Sequence, residues 1–272
     1  MTETRRLLID GVVTRVSRHG DRFVTADGRA VDVATATHLP PCTPTKIICV
    51  HLSYRSRIEQ LGAYSVETPT YFHKPVSCLN SHRGTVLRPR GTKYLNLEGE
   101  VGVVIGRTTR CITPERAPDH IAGYTIANDY GLHDFRDTDA NSMLRVKGTD
   151  TLGVVGPGLV TDWDPRDKRL RTVVNGEIVQ EDTTAGMLWD MNYLVADLAR
   201  LITLEPGDLI LTGTPANSRP VQPGDTVTVE VEGLGELTSR IAEGPPVMAG
   251  FGAMPTDSAT VRGVALGTGL VK

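Results

Sequence analysis

Cysteine is scarce and unpaired in this chain: Cys42, Cys49, Cys78 and Cys111 are spread over 272 residues with no C-x-x-C among them. That argues against a disulfide or zinc framework and suits a reducing, cytoplasmic setting. No apolar window reaches transmembrane length, and Met1 to Arg6 lead into no signal-length apolar core, so neither a span nor a leader is expected. Charge of one sign is also missing. The formal net charge is −3, which gives no bias toward nucleic acid or an anionic membrane. No internal repeat is visible, and a long helical pattern occurs once. What the chain does have is glycine (28) and proline (17), with 39% hydrophobic and 22% charged residues. This is the composition of a turn-rich globular β protein, long enough for one large domain and a small appendage.

Residues 5–44 hold short apolar pieces separated by Asp10-Gly11, Gly20-Asp21 and Asp27-Gly28, dipeptides that favour hairpin turns. They predict a small N-terminal β domain, residues 1–44, closed by the proline-rich Leu39–Pro44. Lys46–Leu52 reads as a buried strand, and Ser53–Gln60 as a short helix or a mobile loop. Thr113-Pro114-Glu115 has the residues of a helix start. Asn175-Gly176 between alternating residues is the clearest hairpin signal. The one strong helix runs through Met187, Leu188, Met191, Leu194, Val195, Leu198, Leu201 and Ile202, with Thr183 or Thr184 as its N-cap. Residues 245–272 show little apolar pattern and read as a tail with no core of its own.

The stretch Leu95–Gly106 starts polar, becomes a Val/Ile run and stops at glycine, the pattern of a buried strand. Side chains alternate along a strand, so Glu98 and Glu100 point the same way, about 7 Å apart. Two like charges there are unfavourable unless something neutralises them, and a divalent cation with a preference for carboxylate oxygens would do so. The bland alternative is a solvated strand edge with two surface glutamates, and the pair alone does not displace it. Farther on, Asp129 to Asp139 packs Asp129, His133, Asp134, Arg136, Asp137 and Asp139 into eleven residues, either a polar site or a salt-bridged loop. The turn Thr212-Gly213-Thr214-Pro215 offers hydroxyls and free N–H groups that could hold a substrate carboxylate.

Taken together, "KIICVHLSYRSRIEQ", "FHKP", "LNLEGEVGVVIG", "GYTIANDYGLHDFRD", "VKGTDTLGVVGPGLV", "VNGEIVQ" and "LEPGDLILTGTP" resemble the fumarylacetoacetate hydrolase superfamily over residues 45–244. The resemblance implies a β-rich roll of mixed sheets with few helices, and a homodimer or higher homo-oligomer. It implies Mg²⁺, with Mn²⁺ or Ca²⁺ as substitutes, held by Glu98, Glu100 and Asp129. Lys147 matches the family's active-site lysine, Thr214 a substrate-binding threonine, and Lys74, a weaker match near the site, is a further substrate-binding candidate. Family substrates are 2-oxo or 1,3-dioxo acids, in which an enolate serves tautomerisation, decarboxylation and C–C hydrolysis alike.

Where hydrolytic members carry a lid His and Glu, this chain has Arg57 and Gln60. His51 and Glu59 lie nearby but out of register. Three further stretches, "NDYGLHDFRDTDANSMLRVKG", "DMNYLVADLARLITLEPGD" and "GTPANSRPVQPGD", look closest to 2-hydroxyhepta-2,4-diene-1,7-dioate isomerase and 5-oxopent-3-ene-1,2,5-tricarboxylate decarboxylase. The expected activity is therefore isomerisation or decarboxylation of a 2-oxo or 2-hydroxy-dienoic diacid. His133 is the expected proton relay, and Arg57, Arg136 and Arg145 are candidates for the second carboxylate. The alternatives are an acylpyruvate or fumarylpyruvate hydrolase, and a metal-binding member without catalysis.

Overall fold

A computed structural model describes residues 2–63, 67–139 and 142–269. Among them the chain is mainly β, with few and short helices. The all-apolar run expected of a strand buried on both faces is realised in Gly99–Ile105, every residue of which is buried. It pairs antiparallel with Ile121–Asp129 on one side and Leu209–Leu211 on the other. The sheet continues through Ile47–His51 to Thr70–Lys74 beyond Leu209–Leu211, and through Gly153–Thr161 beyond Ile121–Asp129.

A second sheet runs Glu177–Thr183, Arg169–Val174, Thr226–Val231, Gly235–Pro246 and Thr85–Arg90, with the last pair parallel. The two sheets close on a shared core that includes Val101, Val103, Ile126, Val154, Val227, Val229, Leu237 and Ile241. At Gly99 the sheets approach so closely that a β-carbon would collide with the Thr172 hydroxyl. Glycine is therefore required between the two glutamates.

The N-terminal strands are continuous with the larger sheet rather than set apart from it. Thr2–Ile9 pairs antiparallel with Gly153–Thr161, with Thr2 opposite Thr161 and Thr4 opposite Leu159. Leu7, Val16 and Phe23 form a small cluster of their own there. The Asn175-Gly176 hairpin is present, with both residues at positive φ (51° and 89°) as a type I′ turn demands.

Two expectations are corrected, on the strong helix and on residues 245–272, and a third, the helix start at Thr113, is met. The strong helix spans Met191–Ala199 and is capped by Asp190, whose side chain accepts from the Tyr193 N–H at 2.8 Å. Thr183 instead caps the 3₁₀ turn Thr184–Gly186. The apolar face misleads because Met187 bridges to Tyr54 and the Leu188 N–H donates to Ser53 O, which holds both residues extended. Leu201, past the other end, is 84% exposed. The Thr113–Glu115 start opens a 3₁₀ helix, Pro114–Asp119, with Pro118 inside it. Residues 245–272 include a helix, Ala259–Ala265, capped by Ser258 and docked through buried Val261 and Ala265 on Tyr94.

Candidate metal centre and substrate pocket

The antiparallel register places Gly99 opposite Asn128, so Glu98 and Asp129 meet at the sheet end. The Asp129 N–H donates to Glu98 O at 2.8 Å, and the Glu98 N–H to Asn128 Oδ1 at 2.8 Å. Each of Glu98, Glu100 and Asp129 offers a carboxylate oxygen, and these oxygens lie within 4.8 Å of one another.

Two ammonium groups share this acidic cluster. Lys147 Nζ donates to Glu98 Oε2 at 2.6 Å and to Asp129 O at 2.7 Å, and lies 3.0 Å from Asp129 Oδ2. Lys74 Nζ is 2.5 Å from Asp129 Oδ1. Burial opposes ionisation of Asp129, but Lys147 and then Lys74 outweigh it and hold its carboxyl below the usual range. Burial likewise opposes charge on Lys147, yet Asp129 and Glu98 raise it. Glu100 makes no ion pair among the described residues, and Lys147 offsets its charge only in part. It accepts only the Gly213 N–H, at 2.7 Å, and burial, with the Asp129 and Glu98 charges added, pushes it well above the carboxylate range.

A buried carboxylate compensated only in part beside two others is the condition a divalent cation relieves, and the all-oxygen donor set suits Mg²⁺, Mn²⁺ or Ca²⁺. The residues thus fit the implied ion.

In front of the cluster lies a pocket lined by His51, Arg57, Leu61, Phe72, His133, Arg136, Met143, Thr214 and Val264, among others. Arg57 comes from the helix Arg55–Leu61, which Gly62 ends in the left-handed conformation. Its guanidinium donates to Gln60 Oε1 at 2.8 Å. Among the described residues the Arg136 guanidinium donates to Met143 Sδ, at 3.7 Å, and to no other side chain. Neither guanidinium has a carboxylate partner among the described residues.

His133 opens the 3₁₀ turn His133–Phe135 and is 2% exposed. Both its ring nitrogens lack a partner, and Nε2 stands 4.0 Å from Glu98 Oε1. Burial, then Lys147, Arg136 and Arg57, keep it neutral. His51, also on the pocket wall, is pushed down to about 4 by burial and by Arg136, Lys147 and Arg57. Thr214 Oγ1 accepts from Gln180 Nε2 at 3.1 Å. The turn before it needs Gly213, at φ 95° with the Ser53 side chain where a β-carbon would sit.

The structure therefore brings together Glu98, Glu100, Asp129, Lys147, His133, Thr214, Arg57 and Arg136. Lys74, expected on the substrate, is fully buried behind Asp129 and serves as its counter-charge. Arg145 is turned away: it pairs with Asp139 at 2.9 Å and its side chain is 53% exposed. Residues not foreseen are Gln180, which spans from Gly99 to Thr214, and Val264, from the segment read as a tail.

The chain belongs to the fumarylacetoacetate hydrolase family, whose model, described as Fumarylacetoacetate (FAA) hydrolase C-terminal, matches residues 46–242. The 4-hydroxyphenylacetate degradation bifunctional isomerase/decarboxylase of Salmonella dublin is 37% identical over 198 residues, covering 72% of this chain and 46% of that relative. The chain thus spans about half the length of that bifunctional protein. Two solved structures follow the fold closely. One is 5-carboxymethyl-2-hydroxymuconate delta-isomerase from Mycobacterium smegmatis, with a TM-score of 0.82, 35% identity, and coverage of 89% of this chain and 99% of the other. The other is 2-hydroxyhepta-2,4-diene-1,7-dioate isomerase from Mycobacterium marinum, with a TM-score of 0.81, 33% identity, and the same coverage. The protein is an enzyme of this family. No helix among the described residues is long and apolar enough to cross a membrane.

Proposed function

We propose that the protein is a Mg²⁺-dependent isomerase or decarboxylase of a 2-oxo or 2-hydroxy-dienoic diacid in the breakdown of aromatic compounds. A cytoplasmic setting and a homodimer belong to the same reading. The observation that carries it is the pair Arg57 and Arg136, buried or half-buried at the pocket with no carboxylate of their own. A guanidinium in that state matches a substrate carboxylate, which it can bind through two parallel N–H bonds.

A divalent cation held by Glu98, Glu100 and Asp129 would supply Lewis acidity toward the 2-oxo and adjacent carboxylate groups. The chain's own residues supply the rest. Lys147 sets its ammonium beside Glu98 and Asp129, where it can balance negative charge that develops on the substrate. His133 is neutral, has both ring nitrogens free of partners, and can take or give a proton at Nε2. The Thr214 hydroxyl is held toward the pocket by Gln180 and can hydrogen-bond the substrate.

The lid argues against hydrolysis. Attack by water needs a base about 3 Å from it. At the family's lid positions Arg57 and Gln60 are bonded to each other, and Gln60 Oε1 also accepts the Asn217 N–H, at 2.9 Å. Neither side chain can accept a proton from water. One observation favours C–C hydrolysis as the second reading: His133 and His51 are two neutral imidazoles on the pocket wall, and either could serve as that base.

The test is a side-by-side assay with Mg²⁺ on fumarylpyruvate or acetylpyruvate and on 2-hydroxyhepta-2,4-diene-1,7-dioate. Exchange of the diene's vinylic protons in D₂O, or loss of CO₂ from the tricarboxylic precursor, is expected, with slow hydrolysis of the acylpyruvates. Fast hydrolysis with no exchange would overturn the proposal.

A further inference from the structure

The family match ends at residue 242, yet the pocket does not. Val264, on the seven-residue helix Ala259–Ala265, lines it together with Leu61 of the Arg55–Leu61 helix and the three acidic residues. With Val50, Phe72 and Met143 these side chains make the apolar part of a lining that also holds Glu98, Glu100, Asp129, Arg57 and Arg136.

The segment that brings Val264 there is tied to the site at several points. The Thr256 N–H donates to Asp134 O at 2.8 Å, and Thr256 Oγ1 to Asp137 Oδ2 at 3.0 Å. Ser258 Oγ donates to Asp137 Oδ1 at 3.1 Å. Asp134 and Asp137 flank Arg136 and follow His133, so the same short stretch that carries the expected relay and anchor also carries the tail. Farther along, Asn96 Nδ2 donates to Ala265 O at 2.9 Å. Gly267, at φ 66°, lies flat against the Gln60 amide, where a β-carbon would collide. Gln60 is the residue that holds Arg57.

We propose that the C-terminal segment 256–267 is the fourth wall of the substrate pocket, and that Val264 sets the length of carbon chain that fits between the metal end and the arginine end. The proposal rests on the diacid reading only for the identity of the ligand. A wall of fixed position discriminates by methylene count: one methylene too many or too few in an apolar pocket changes affinity about 10–200-fold. Bonds to the 134–137 turn and to Asn96 fix this wall to the body of the protein. Because it lies outside the family's matched stretch, its side chains can differ while the metal centre stays the same.

The experiment is calorimetric titration of the Mg²⁺-loaded full chain with 2-oxo acids of rising length. The monoacids are pyruvate, 2-oxovalerate and 2-oxoheptanoate, and the diacids 2-oxoglutarate and 2-oxoadipate. Val264→Phe should weaken the longest acids by about tenfold or more while pyruvate changes by less than about threefold. Val264→Ala should move the preference toward longer chains, and it carries the test should the phenylalanine variant fail to fold. An unchanged ratio of long-chain to short-chain affinity in both variants would overturn the wall proposal. Stronger binding of monoacids than of diacids of equal length would overturn the diacid reading and leave the chain-length result to stand. Binding of neither series to the wild type would overturn both.

Discussion

Replacing Gln180 by leucine removes an amide that uses all its hydrogen-bonding capacity inside the protein. Its Oε1 accepts from the Gly99 N–H at 3.2 Å and from Thr172 Oγ1 at 2.8 Å. Its Nε2 donates to Thr214 Oγ1 and Pro215 O, both at 3.1 Å, and to Ala216 O at 3.0 Å. The side chain is 1% exposed, so water cannot take over these contacts. Leucine nearly keeps the volume, and the loss is therefore polar rather than a cavity. Two or three buried groups left without partners, at roughly 1–3 kcal/mol each, give a destabilisation of about 3–5 kcal/mol. At about 2–4 °C per kcal/mol for a chain of this size, Tm should fall by roughly 10 °C. The functional effect is separable from that. Gly99 lies between Glu98 and Glu100, and Thr214 follows Gly213, whose N–H holds Glu100. Gln180 thus aligns the metal-binding strand with the substrate turn, and its loss should weaken Mg²⁺ binding and raise KM at temperatures where the variant is still folded. The assay is Mg²⁺ titration at 20 °C beside a thermal melt. A lowered Tm with Mg²⁺ affinity unchanged would refute the alignment argument, and an unchanged Tm would refute the energetics.

Three further outcomes follow from the site and its surroundings. Glu100→Gln keeps the shape and removes a carboxylate that a divalent ion would ionise, so Mg²⁺ affinity should fall by more than the about 10–100-fold typical of losing an outer partner of a metal site. Equal affinity by calorimetry would remove Glu100 from the ligand set. Arg136→Met should raise KM for diacids about tenfold or more, the effect of a charge-assisted hydrogen bond of roughly 1.5–3 kcal/mol, whereas Arg145→Met should not, because Arg145 faces Asp139. A larger effect at Arg145 would reverse the assignment. His38 and His82 meet edge to face, with ring centroids 4.7 Å apart, where the N-terminal strands join the rest. Burial and the neighbouring cations lower both, His82 to about 3. A folded-state value below that of the unfolded chain means that the unfolded state takes up protons first. This contribution to stability is complete above about pH 6.5 and is lost as pH falls from there toward 3. Melts at pH 7.5 and 5.0 should show a smaller acid loss for His82→Asn, in which Oδ1 can still accept the Thr238 N–H. An equal loss would place the acid sensitivity elsewhere.

Sequence reasoning reached the parts of this site that depend on local rules. The two-residue period of a strand is enough to put Glu98 and Glu100 on one face, and Asn-Gly is enough for the hairpin at 175–176. Asp129, Lys147 and Thr214 came from resemblance, and the antiparallel register shows why they meet: pairing Gly99 with Asn128 puts the end of one strand beside the start of the other. The helix cap was misread for a physical reason. Thr183, Thr184 and Asp190 are all good N-cap residues, and the bridge from Met187 to Tyr54 decides among them. Gln180 was missed because its amide acts on Gly99, 81 residues away, and on a turn more than thirty residues downstream. Such contacts leave no periodicity. The Ala259–Ala265 helix makes only two turns, too short for an amphipathic stripe to stand out, and its buried face is defined by Tyr94 and the pocket, not by its own pattern.

The balance of charge ties these pieces to the chemistry. Three carboxylates, Glu98, Glu100 and Asp129, face four cations, Lys74, Lys147, Arg57 and Arg136, while His51 and His133 stay neutral. With Glu100 ionised on a divalent ion, the side chains carry one net positive charge, and the ion would raise the surplus to three. Buried charge of that size is costly unless a ligand cancels it. A 2-oxo monoacid brings one negative charge and leaves two cations unmatched. A diacid brings two, and as its carbon acid passes a proton to a pocket base such as His133 the negative charge that develops on the substrate would move toward the cations at the metal end, with the net charge of the site unchanged. An environment that is better matched to the charge of the transition state than to that of the ground state is the condition for rate acceleration. On the proposed reading it would be met without a base for water on the lid, because Arg57, one of the four cations, stands at that position.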